Sequence, residues 1–154
     1  MRKLVAVMAL LMASGSLMAD DWRRSADTQT KVDNLVSVMP NTAQLMMSIG
    51  ERYRDLYWAG KLERWEFAEY QKKELIGIVN RMKTTRPGRA EAADIFLDAG
   101  FEGMDAAIEQ RDWQRFSTAF ENMRAQCMVC HVDSGYGFIT IPATPSRSTN
   151  LALE

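Results

Sequence analysis

Between Pro40 and His131 apolar residues recur three and four positions apart, in blocks separated by proline and glycine. That period fits helices packed through one face. The first block holds Leu45, Met46, Ile49, Tyr53, Leu56 and Tyr57, and Gly60 is expected to stop it. The second, about Glu63 to Lys83, turns Trp65, Ala68, Leu75, Ile76, Val79 and Met82 inward and ends before Pro87-Gly88. The third spans about Arg89 to Gln110 with Ala93, Phe96, Leu97, Met104 and Ala107, although Gly100 and Gly103 each cost about 1 kcal/mol relative to alanine inside a helix. The fourth starts after Asp112, a residue suited to N-capping, and carries Trp113, Phe116, Phe120, Met123 and Cys127. Short connections make sequential helices antiparallel neighbours. The expected fold class is therefore all-α, a four-helix bundle over residues 40–154 that includes a C-terminal extended tail, "YGFITIPATPSRSTNLALE".

The chain begins "MRKLVAVMALLMASGSLMAD", with Arg2 and Lys3 ahead of an apolar stretch from Leu4 to Met12 and small residues up to Ala19. This pattern is that of a secretory signal peptide over 1–19, cleaved near Ala19, and the stretch falls well short of the ~20 residues that span a bilayer. The expected location is the periplasm, with no membrane span in the mature chain. Residues 20–39 are polar and mixed, the composition of an arm or a short lead-in helix. Without Arg2 and Lys3, 17 of the 19 basic residues remain against 20 acidic ones, a net charge of about −3 with no long block of one sign. That balance argues against a nucleic-acid partner.

The chain's two cysteines and its one histidine fall together in "RAQCMVCHVDSGYGF", as Cys127, Cys130 and His131. A structural zinc site needs four ligands, usually Cys or His, and these three are all the chain has. A thioredoxin-like dithiol opens a helix after a strand, whereas this pair closes a long helical pattern. The third chemistry is covalent haem attachment, for which C-x-x-C-H is the signature. Side chains three apart on a helix lie about 5–6 Å from each other on one face. Cys127 and Cys130 can then bond two vinyl groups on one side of a porphyrin, and His131 can offer its imidazole to the iron.

By "CMVCH" together with the export signal, the chain resembles the c-type cytochromes. The resemblance implies one covalent haem c, His131 as proximal iron ligand, and either one-electron transfer with a redox partner protein or binding of a diatomic gas such as NO or CO at five-coordinate iron. Class I members carry the motif early and a methionine ligand far downstream, and nothing after His131 is methionine or histidine. A motif at the end of the fourth helix is similar instead to the class II, cytochrome c-prime type of four-helix bundle, in which a homodimer is common. The stretches "MMSIGERYRDLYWAGKLERWEFAEYQ" and "AQCMVCHVDSGYGFITIPATPS" also resemble a group of small exported bacterial proteins with a late CxxCH and a Gly-Phe-x-x-x-x-Pro tail.

With His131 used, the sixth iron position falls to methionine or to a weaker group, or stays empty. Met123 and Met128 share a helix with His131 and cannot reach the opposite face of a ring it holds. Met46, on the apolar face of the first helix, is the preferred distal residue, with Met39, Met47 and Tyr53 as alternates. Trp58, Trp65, Tyr57 and Phe120 are candidates to line a haem pocket, and Arg52 and Arg54 to meet propionates. No second histidine and no paired carboxylates accompany the motif, so an electron carrier is expected and an enzyme is not.

Overall fold

The computed structural model describes residues 21–147, in which every regular element is a helix and no strand occurs. The expected signal peptide lies outside the described residues. No helix among the described residues is long and apolar enough to cross a membrane. Contacts divide the chain at Met39/Pro40 into two units.

In the first unit, Asp21 caps α1 (Trp22–Ser25) and Asp27 caps α2 (Thr28–Ser37), the latter by accepting from the Thr30 amide at 2.9 Å. The expected polar arm is thus helical. Its Val32, Leu35 and Val36 remain exposed.

The second unit starts with α3 (Thr42–Lys61), whose capping box pairs Asn41 and Gln44 reciprocally. Gly60 does not stop this helix. It lies within α3, where a Cβ would meet the Phe116 ring at 2.2 Å, so the residue is there for close approach. The chain turns instead at Glu63, which takes the left-handed region at φ 58°.

Helix α4 (Trp65–Thr85) ends ahead of a 3-10 turn at Pro87–Arg89. The single helix expected from Arg89 to Gln110 is two, α5 (Ala90–Gly100) and α6 (Met104–Glu109). They part at Gly103, whose φ of 76° suits glycine and ends the helical path. Lys72 on α4, itself buried, pairs with Asp105 on α6 and with Glu69, which holds the displaced segment in place. Asp112 caps α7 (Trp113–Asp133) by accepting from the Gln114 and Arg115 amides.

Helix α4 packs against α3 and against α5 and α6, and α7 packs against α3, α5 and α6. Asn122 donates to the Ala99 carbonyl at 2.8 Å, while Arg89 lies over the Tyr136 ring beyond the far end of α7, so α5 and α7 run antiparallel. The core between these helices holds Leu56, Leu75, Met104, Phe116, Phe120 and Met123, all fully buried.

Candidate functional site

The inward stripe of α7 passes through Phe116, Phe120 and Met123 and continues through Cys127, Cys130 and His131 at helical spacing. The structure therefore keeps all three motif residues on one face of one helix, near its C-terminus. Cys127 packs against the core, and burial, reinforced by the neighbouring Cys130, pushes its thiol up to about 12. Both thiols are free. Cys130 opens onto a cleft of about 270 Å³ between α5, the 3-10 turn and α7, walled also by Arg89, Ala92, Ile95, Val129 and Asp133.

His131 is half-buried, and its Nδ1 stands 3.2 Å from the carbonyl oxygen of Ile139. A carbonyl only accepts, so Nδ1 is the donor in this bond, which leaves Nε2 as the ring nitrogen through which the imidazole would bind a metal. Among the described residues no group of three or more His, Cys, Asp or Glu side chains is placed to hold a metal ion. The motif is no chelate by itself. A porphyrin brings four iron ligands of its own and needs from the protein only an axial nitrogen and anchoring sulfurs. Two thiols three residues apart on one helical face and an imidazole whose Nδ1 meets a carbonyl are the donor set such a group requires, so the residues fit haem.

The chain after α7 turns back along it. Arg124 donates to the Ile141 carbonyl (3.1 Å), the Ile141 amide donates to the Met128 thioether (3.4 Å), Tyr53 donates to Pro142 (2.6 Å), and the Trp58 indole donates to Pro145 (3.0 Å). The aromatic residues of the tail do not pack on the core. Tyr136 and Phe138 pair with each other and Phe138 is 79% exposed, while Ile141 is the tail residue that packs on the core.

The other candidates are distributed along the molecule. Met46 packs on the core from α3, seven residues before Tyr53 and so on its face. Tyr53 meets Phe120 with ring centroids 4.6 Å apart, and Cys127 lies seven residues beyond Phe120 on α7. Met47 is 74% exposed, and Met39 belongs to the first unit. Tyr53 is buried, its hydroxyl given to Pro142 and held protonated by that burial. Trp65 meets Phe116, three helical turns before Cys127, and Tyr57 meets Trp113 and Phe120, the nearer of them two turns before it, so the structure does not bring these two rings to the motif. Arg52 reaches Gln71 across the α3–α4 contact at 3.0 Å, and Arg54 stands 3.7 Å from its neighbour Asp55 on α3.

Sequence reasoning missed the tail as a source of partners for the motif helix. The available signal was Pro142 and Pro145, which lack amide protons and keep this stretch out of helix and sheet, leaving carbonyls for side chains to find.

No protein-family model matches the chain, and neither the curated proteins nor the solved structures searched include one similar to it.

Proposed function

We propose that this chain is an exported c-type cytochrome that carries one electron on a single covalent haem, within a four-helix bundle formed by α3, α4, the α5–α6 pair and α7. The observation that carries the reading is the arrangement at the end of α7. Cys127, Cys130 and His131 share a stripe, and the Ile139 carbonyl takes the Nδ1 proton of His131. Cys127 and Cys130 would hold the haem through thioethers, and His131 would ligate its iron through Nε2. When bound, the group supplies an iron that gains and loses one electron. The chain's contribution is to fix the imidazole, pack the half-buried Cys127 against the core, and leave the Cys130 side open at the cleft. Met46 is the proposed distal ligand, because it lies two turns before Tyr53 on the face of α3 that meets α7.

The test is production in a bacterium that attaches haem c, followed by haem staining after denaturing electrophoresis. The native chain is expected to retain its haem, and the Cys127→Ser, Cys130→Ser double variant to lose it. A native chain without retained haem overturns the proposal. Retained haem with a broad high-spin ferrous spectrum that responds to carbon monoxide would replace the electron carrier with a gas binder and remove Met46 as ligand.

A further inference from the structure

We infer that residues 139–145 are a strap that fixes the ring of His131, and that Tyr53, Trp58 and Arg124 are its positioning residues. The inference deepens the haem reading above and rests on it. Its basis is a set of side-chain bonds to main-chain carbonyls, at Ile139, Ile141, Pro142 and Pro145, made by His131, Arg124, Tyr53 and Trp58 in that order. The donors come from two helices, α3 and α7, so the strap ties the motif helix to the helix opposite it. A peripheral tail has no need of four such bonds, because exposed carbonyls are satisfied by water at no cost.

Local structure alone does not fix the Ile139 carbonyl. The amide of Ile139 closes a turn onto the Tyr136 carbonyl at 2.8 Å, but Phe138 and Ile139 are 79% and 44% exposed, so neither side chain anchors the segment. The first firm anchors are downstream. Ile141 packs on the core, its amide is taken by Met128, and Pro142 is held by the buried Tyr53 hydroxyl at 2.6 Å. Ile139 and Pro142 are three positions apart, a reach of at most about 10 Å. Tyr53 also packs its ring on Phe120 in the centre of the core, which makes it the most rigidly placed of the anchors.

A carbonyl that accepts the Nδ1 proton makes the imidazole a stronger donor through Nε2. A stronger donor favours the oxidised iron, so releasing the strap is expected to raise the reduction potential.

The experiment compares the native chain with a Tyr53→Phe, Trp58→Phe double variant, which keeps an aromatic ring at each position and deletes both donors. Helical circular dichroism first confirms the fold, and Tyr53→Phe alone serves if the double variant does not fold. Three quantities are then measured: hydrogen exchange of residues 139–145, the tautomer of His131 by nitrogen NMR on the full chain before haem attachment, and the reduction potential of the haem-loaded protein. Faster exchange in the strap, a shift of His131 from one tautomer to a mixture, and a raised potential are the expected results. A strap that exchanges faster while the His131 tautomer and the potential stay put overturns the inference, as does a strap that the variant fails to loosen. Failure of the native chain to carry haem overturns the functional reading separately, and the tautomer measurement still decides the strap.

Discussion

The two halves of α7 carry one continuous inward stripe and meet opposite surroundings. In the first half Phe116, Ala119, Phe120 and Met123 are buried, with Trp65, Tyr57 and Tyr53 ranged against the two phenylalanines. In the second half the stripe holds two thiols and an imidazole, Val129 and Val132 are 47% and 61% exposed, and the neighbours are tail carbonyls and an open cleft. Burying a side chain the size of phenylalanine stabilises a fold by roughly 1.5–3 kcal/mol. A half-buried cysteine or histidine offers much less. The first half therefore fixes the helix and the second half is carried by it, free to use residues that stability alone would not select.

The largest effect expected from this division is at Phe116. Replacing a fully buried phenylalanine by alanine removes its transfer free energy and leaves a cavity, about 3–5 kcal/mol in all. His131→Ala in the same haem-free chain forfeits one hydrogen bond at a half-buried site, about 1 kcal/mol. Urea unfolding of the two variants measures both costs. Equal costs would mean that the motif end of α7 is as much a part of the core as the aromatic end, and the division would be lost.

A smaller effect tests how tightly the aromatic half is packed. Alanine at Gly60 gains about 1 kcal/mol in helix propensity, yet its Cβ would stand 2.2 Å from the Phe116 ring. Overpacking of this kind costs about 1–3 kcal/mol, so Gly60→Ala is expected to be destabilising on balance. Contact also makes the two positions non-additive. Combining Gly60→Ala with Phe116→Leu is expected to cost less than the two single changes summed, and strict additivity in urea melts would place the ring elsewhere.

Much of this was open to reading from the residues. The helical period gave the all-helical class, and Asp112 announced the start of α7, because both are local consequences of side-chain chemistry. The break between α5 and α6 was less accessible, since Gly103 is an ordinary glycine until its left-handed backbone is seen. Gly60 was legible as a helix stop and is a packing site, a distinction that depends on Phe116, which is remote in sequence. In the candidate site Cys127, Cys130 and His131 stood out by spacing, whereas the tail carbonyls could not, because every residue has a carbonyl and only the fold selects which one meets His131. Tyr53 shows the same limit. Its place on the apolar face suggested a ligand, and its hydroxyl is given to Pro142.

The smallest expected effect concerns a buried acidic residue on α3, the helix that sets Tyr53 and Tyr57 against the aromatic half. Asp55 is 4% exposed, and burial raises its carboxyl above the ordinary carboxylate range despite opposition from Arg54 and Arg52. Its Oδ1 has no hydrogen-bond partner, so the charged form is poorly compensated. A carboxyl raised in the fold binds its proton more tightly folded than unfolded. Its contribution is fully present below the unfolded pKa of about 3.9 and is lost as pH rises through the higher folded value. Asp55→Asn keeps the shape and removes the titration, so the native chain should lose stability relative to the variant between pH 4 and pH 7. Glu121, held below its ordinary value by Arg124, works in the other direction but is common to both chains and drops out of the difference. Paired urea melts at the two pH values read that difference directly. A gap independent of pH would mean that Asp55 is ionised as easily in the fold as in water, and that α3, the helix facing the aromatic half, is wetter at this position than its burial implies.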